Sequence, residues 1–248
     1  MFYLSTHQIS LLPPSGSFGV TKKAKAGRLG VSGRPLFCPS RAKSQTPNRI
    51  NHGLHGSGVC GAGGWPHKAQ EAQEMVAAAV ANNVALMEAM WSRFLPHYAQ
   101  VREIVASGIL GKILTVHADH GQRLADQNIP RLVDPSLAGG ALLDLGIYPV
   151  SFAHMILGNP TKIIASGVLT DRGVDGQTSM IFDYASGAQA VLNTTMLEQT
   201  PCRAIVAGVN GWLEIDRVFY SPTSMRVNLF DGTFKYALCR YGSKQCYA

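Results

Sequence analysis

The sequence predicts an α+β fold: an antiparallel-rich open sheet with helices on one face. Three observations carry this. From residue 68 to about residue 158 apolar residues recur mainly at helical spacing, with short strand-like runs between. After Pro160 the period switches to two and stays there. The alternating runs are separated by Ala185-Ser186-Gly187, Val209-Asn210-Gly211 and Asp231-Gly232, turn words that join neighbouring strands.

Taken in chain order, residues 1–67 predict a disordered segment. They hold eleven Gly and six Pro, many Ser and Arg and little apolar periodicity, too little to offset chain entropy by burial. Nine of the 22 Lys and Arg fall in residues 1–68, which contain no Asp or Glu, so the net charge of +7 belongs to that segment. The other thirteen basic residues and all fifteen acidic ones follow, leaving the rest at −2. Three readings fit the segment: an organellar transit peptide, a nucleic-acid-binding tail, or sequence joined to a domain fragment by a frameshift or misplaced start. Dense Gly and Pro weaken the first, and dispersed basic residues almost without aromatics weaken the second. The third is favoured.

"KAQEAQEMVAAAVANN" is rich in Ala, Glu and Gln and predicts a helix ending at Asn82-Asn83, with Met75, Ala78, Ala79 and Asn82 on one face. "VALMEAM" predicts a short buried strand, "LPHYAQVREIVASGILG" a second helix ended by Gly108, and "KILTVHADHG" an alternating strand. "PSLAGGALLDLGIYPVSFAHMILG" predicts one long helix with Pro149 inside it. Six strand runs follow, from "KIIASGVLT" to "TFKYAL".

No run reaches the eighteen or so consecutive apolar residues of a membrane span. The five cysteines, Cys38, Cys60, Cys202, Cys239 and Cys246, are scattered and form no CxxC pair, which argues against a disulfide framework and a zinc site. Gly56-Ser57-Gly58-Val59-Cys60-Gly61 spells a dinucleotide fingerprint, G-x-G-x-x-G. No apolar strand precedes it, Pro66 stands where a helix should open, and no acidic strand end follows about twenty residues on. It reads as a chance match in a Gly-rich window.

Three stretches, "EAQEMVAAAVANNVALMEAMWSRFLPHY", "IVASGILGKILTV" and "RLVDPSLAGGALLDLGIYPVSFAHMILG", make residues 69 to about 232 resemble the glucose-fructose oxidoreductase / inositol dehydrogenase / MocA family, in its dihydrodiol dehydrogenase and sugar 1-dehydrogenase branch. The resemblance implies a two-domain enzyme. A Rossmann domain binds NAD or NADP; a C-terminal α+β domain supplies the substrate pocket and often dimerises through its open sheet. On this scheme residues 68–90 are a remnant helix and strand of the nucleotide-binding domain. Residues 91–248 are the substrate-binding and dimerisation domain, and "KYALCRYGSKQCYA" lacks the family's closing helix. The family places roughly 120 residues of βαβ units, ending in Glu-Lys-Pro, before the first stretch. Here the junction reads Gly64-Trp65-Pro66-His67-Lys68, so the family's catalytic lysine is not carried onto Lys68 and no cofactor-binding residue is assigned.

Oxidising a hydroxyl requires a hydride acceptor and a group that takes the hydroxyl proton. Asp144 and Tyr148 are four apart, which on a helix places them on one face about 5–6 Å apart. Spacing alone favours a core aromatic and a capping carboxylate; the surrounding "AGGALLDLGIYP" reverses that. The resemblance implies that Asp144 orients substrate and Tyr148 stands at the acid/base position. Pro149 removes a helical hydrogen bond and would kink the helix just after Tyr148, aiming that side chain. Trp91, Arg93 and Phe94 are implied as pocket wall, with core packing and a solvated Arg93 as the alternative. Arg131 either reaches the pocket or lies on a surface loop. His154 reads as a core or surface histidine. His117 and Asp119 alternate to one side of their strand and His120 to the other, so no metal is assigned.

The expected function is that of a substrate-domain fragment of an NAD(P)-dependent oxidoreductase acting on a CH–OH group of a sugar or diol. Alone it is expected neither to bind NAD(P) tightly nor to turn over. The alternative is a non-catalytic dimerisation module with a basic tail. Expected partners are a small sugar or diol and a second copy of the chain, with neither membrane nor nucleic acid; the expected compartment is the cytoplasm, or an organelle if residues 1–67 are a transit peptide.

Overall fold

A computed structural model describes residues 69–82, 86 and 90–232, and the backbone of 235–237. The basic segment, the Gly56–Gly61 match, Lys68, the C-terminal residues and most of "VALMEAM" lie outside these. The chain divides into two compact units, Met1–Ala89 and Met90–Ala248. The first contains helix α1 (Ala69–Ala81). Its Met75 and Ala79, one turn apart, are buried. The Asn82 side-chain amide donates to the Ala78 carbonyl at 2.8 Å, closing the last turn.

The second unit carries one eight-stranded sheet: β1 (Ile113–Gly121), β2 (Lys162–Leu169), β3 (Asp175–Asp183), β4 (Gln189–Thr195), β5 (Ala204–Gly208), β6 (Gly211–Ile215), β7 (Met225–Leu229) and β8 (Lys235–Ala237). The spatial order is β2-β3-β4-β1-β5-β6-β7-β8. The hairpins expected from the turn words form, and β1 lies between β4 and β5, parallel to the former and antiparallel to the latter. Every other adjacent pair is antiparallel.

Alternation sorts the strands into two faces. Val116, Ala118 and His120 of β1, Met180 and Phe182 of β3, Ala190 and Leu192 of β4, Ala204 and Val206 of β5 and Leu213 and Ile215 of β6 are buried. Helices α2 (Pro96–Ala106) and α4 (Ile147–Leu157) cover this inner face, adding Tyr98, Val101, Phe152 and Ala153 to the core. Pro96 at the first position of α2 costs no internal hydrogen bond. The opposite face is open.

The long helix expected over residues 135–158 is broken. Asp134 caps a short 3₁₀ turn, Pro135–Leu137, through the Ser136 amide and hydroxyl, and Ala138 then adopts φ +57°. Gly140, at φ +128°, leaves no room for a β-carbon, because the Asp175 carboxylate occupies that space. This carboxylate, from the start of β3, accepts from the Leu142 amide at 2.7 Å and so caps the resumed helix from a neighbouring strand. Burial raises the Asp175 carboxyl above the usual carboxylate range, against the pull of its hydrogen bonds. The stretch Pro135–Leu157 is long and apolar enough by composition to cross a bilayer. Its break at Ala138–Gly140 and the burial of Phe152 and Ala153 in the core identify it as an internal helix of this domain.

Candidate active site

Helix α4 does not start as a regular α-helix. Leu142–Gly146 forms a wide π turn, and Ile147 onward winds normally. The helical irregularity therefore comes before Tyr148, which corrects the expectation of a kink placed after it by Pro149. Asp144 lies within the wide turn and Tyr148 just beyond it. The two side chains are held by different partners.

Tyr148 lies in an aromatic cluster at the end of the inner face. The Trp91 indole Nε1–H donates to its Oη at 3.1 Å. Its ring meets that of His120 edge-on at 5.1 Å and that of Tyr220 at 4.8 Å, while His120 and Tyr220 stack at 4.0 Å. The His120 ring is 1% exposed, and burial pushes its pKa down to about 4, so it is neutral at physiological pH. Burial first, and then the Cys202 thiol, push the Tyr220 phenol up to about 12, so it keeps its proton. Gln122 Nε2–H donates to Tyr220 Oη at 2.7 Å. Cys202 is buried and free.

Asp144 forms an ion pair with Arg131, whose guanidinium reaches over from the short helix α3 (Pro130–Val133). The Arg131 side chain is 57% exposed while bridging to Asp144. Trp91 and Phe94 stand on a 3₁₀ turn, Trp91–Phe94, ahead of α2 and are 44% and 69% exposed. Arg93 is half-buried, and its carbonyl accepts from the Arg102 guanidinium at 3.0 Å. Leu143 and Ile147, one turn apart, expose apolar side chains beside this site. His154 is engaged at the far end of α4 by Asn159.

Residues 98–214 match the GFO/IDH/MocA C-terminal domain. The domain belongs to the GFO/IDH/MocA family. Its curated relatives include trans-1,2-dihydrobenzene-1,2-diol dehydrogenase of Xenopus tropicalis, 38% identical over 162 residues, which are 64% of this chain and 48% of that protein. The mouse (Mus musculus) enzyme of the same name is 40% identical over 162 residues, with the same coverage. The chain thus spans about half the length of the curated relatives it matches. Among solved structures, an aldose-aldose oxidoreductase from Caulobacter crescentus complexed with glycerol superposes with a TM-score of 0.66 at 27% identity, covering 76% of this chain and 57% of that one. A 3-ketoreductase from Actinomadura kijaniata, in complex with NADP and TDP-benzene, gives 0.62 at 25% identity, covering 69% and 54%.

Within this GFO/IDH/MocA domain the structure joins two pairs of the residues expected at the site, Trp91 with Tyr148 and Arg131 with Asp144, while Arg93 and Phe94 stand on the turn beside Trp91. His120 and Tyr220, which pack around Tyr148, and Gln122, which donates to Tyr220, are not among the expected site residues. For His120 the signal was present. Alternation places it on the face of Val116 and Ala118, towards the helices, whereas His117 and Asp119 face outward. Tyr220 lies in an irregular segment after β6 with no periodicity to orient it. Among the described residues no three His, Cys, Asp or Glu side chains stand together as a metal site would require. A dinucleotide needs a glycine turn that leads from a parallel strand into a helix N-terminus. The parallel strand β1 is followed by a 3₁₀ turn, Ala125–Gln127.

Proposed function

We propose that this domain is the substrate half of an oxidoreductase that acts on a CH–OH group of a small diol or sugar, with NAD or NADP as the hydride partner. The observation that carries the reading is a pair of tethered groups at the start of one helix: Asp144 in the wide turn, held by Arg131, and Tyr148 just beyond it, held by Trp91. The names of the relatives agree with it. A nicotinamide, when bound, supplies the hydride acceptor. This chain's own residues do the rest. The Asp144 carboxylate accepts a hydrogen bond from a substrate hydroxyl and fixes its orientation. Tyr148 Oη exchanges the proton of the reacting hydroxyl, and the Trp91 N–H sits on the oxygen where charge develops as that proton moves. The exposed faces of Trp91, Phe94, Leu143 and Ile147 supply an apolar wall for the substrate ring.

The chain by itself binds the diol but not NAD(P) tightly. A titration with trans-1,2-dihydrobenzene-1,2-diol tests the reading. Tyr148→Phe and Asp144→Asn are each expected to weaken binding about tenfold, roughly the 1.4 kcal/mol of a hydrogen bond to a polar or charged group. Unchanged affinity in both variants would remove the reading.

A second reading rests on the open face of the sheet, where Ile164, Ile181 and Val191 form a cross-strand row that stays exposed. Two copies of the chain joined face to face would cover that row. Mass measurement by light scattering tests this: a dimer that Ile181→Lys converts to monomer supports it, and a monomer at high concentration refutes it.

A further inference from the structure

Pro149 leaves a gap in the helix that carries the site. Having no N–H, it cannot donate to the Leu145 carbonyl four residues back, the acceptor an α-helix would assign it. That carbonyl accepts from the Ile147 amide two residues on, and its remaining place is taken from outside the helix by His120 Nδ1 on β1, at 3.0 Å. A carbonyl only accepts, so Nδ1 carries the proton; in the neutral ring Nε2 is then an acceptor. Gln122 Nε2–H donates to it at 2.9 Å and sends its other N–H to Tyr220 Oη. The amide thereby fixes the tautomer, and Tyr220 stacked on the ring fixes its plane.

The fold accepts backbone strain to deliver Tyr220 there. Cys202 and Val218 both lie in the left-handed region, at φ +54° and +60°. For β-branched Val218 this is an unfavourable conformation. The two are linked, since the Phe219 amide donates to the Cys202 carbonyl at 2.9 Å, and Tyr220 follows directly. Strain of this kind persists where the surroundings over-determine it, and the surroundings here are His120, Gln122 and Tyr148.

We infer that His120, locked by Gln122 and Tyr220, is a positioning residue of this site: its Nδ1–H replaces the helical donor that Pro149 lacks and holds the turn between Asp144 and Tyr148 in the register that brings both to one ligand. It touches Leu145, which lies between the two, and the edge of the Tyr148 ring; it contacts no substrate and moves no proton. The inference rests on the proposed roles of Asp144 and Tyr148 for its meaning, but its structural content stands without them.

A double-substitution cycle in the full chain tests it. His120→Phe keeps an aromatic ring on Tyr220 and removes the donor; Pro149→Ala returns an N–H to the helix. The readout is the Trp91 indole N–H resonance in protein labelled with ¹⁵N-tryptophan, which reports the bond to Tyr148. His120→Phe is expected to shift that resonance and speed its solvent exchange at least tenfold, and adding Pro149→Ala is expected to restore most of both. A packing role for His120 would give independent, additive effects, and additivity overturns the inference. Should His120→Phe fail to fold, the unaltered protein still decides: long-range ¹⁵N-imidazole spectra must show Nδ1 protonated and Nε2 bare, and the opposite tautomer overturns it. Coupling between His120 and Pro149 in a chain that ignores the diol would reject the proposed function while leaving this inference in place.

Discussion

The two faces of the sheet in the GFO/IDH/MocA domain treat polar groups in opposite ways. On the helix-covered face the buried His120 and Thr194 are paired: His120 with the Leu145 carbonyl, Thr194 Oγ1 with the carbonyls of His120 and Ala141. On the open face the charges pair in water, as Arg203 with Glu214 and Arg226 with Glu214 and Asp216. The first arrangement ties the site helix to β1 and β4. The second is a ladder of exposed ion pairs whose individual worth is small. Where polar groups are buried, losing one partner strands the other, so the site's rigidity and the domain's stability draw on the same contacts.

The largest effect expected from breaking the covered face is at Phe152, fully buried between Tyr98 and Phe219. Phe152→Ala should cost about 3–5 kcal/mol, read from the urea midpoint, because the cavity it leaves cannot collapse against a sheet.

Next in size is a pH effect. His120 has its folded-state pKa lowered to about 4 from an ordinary 6.5, burial being the main cause and Asp144 and Asp119 pulling the other way. The unfolded chain binds the proton more readily, so this contribution is complete above pH 6.5 and is lost as pH falls from 6.5 towards 4, by up to about 3 kcal/mol. His97, also lowered by burial, acts in the same direction over the acid side of the same range. Denaturation curves at pH 7 and pH 4.5 check the sign, and His120→Phe should remove the larger part of the difference.

How legible these faces are in the sequence follows from the range of the forces that make them. The β3–β4 and β5–β6 hairpins could be read because Ala185-Ser186-Gly187 and Val209-Asn210-Gly211 act locally on chains of alternating residues. The parallel pairing of β1 with β4 could not, because no local word specifies a partner seventy residues away. The break at Ala138–Gly140 was hidden because its cause, the Asp175 carboxylate, comes from β3. In the site, Asp144 and Tyr148 were legible through their surrounding word. Tyr220 was not, since its place depends on the left-handed backbone of Cys202 and Val218, to which the sequence gives no clue.

The comparison sharpens at Arg131, half in the site and half in water. Arg131→Ala should change stability by less than about 1 kcal/mol, since the pair is exposed, yet it should weaken diol binding through the freed Asp144 carboxylate. Equal losses in both measurements would place Arg131 with the structural pairs. Smallest of all, Arg226→Ala on the open face should alter the urea midpoint by an amount equivalent to about 0.5 kcal/mol, and less at high salt.

The most direct measurement is a titration of the ¹⁵N-tryptophan-labelled chain with trans-1,2-dihydrobenzene-1,2-diol and, separately, with NADPH. Trp91 stands against Tyr148, while Trp212 lies on β6 against Phe230. The proposed site predicts that the diol moves the Trp91 indole signal in a saturable way and leaves that of Trp212 in place, and that NADPH binds no tighter than millimolar. Micromolar NADPH binding, with the diol leaving Trp91 unmoved, would contradict it.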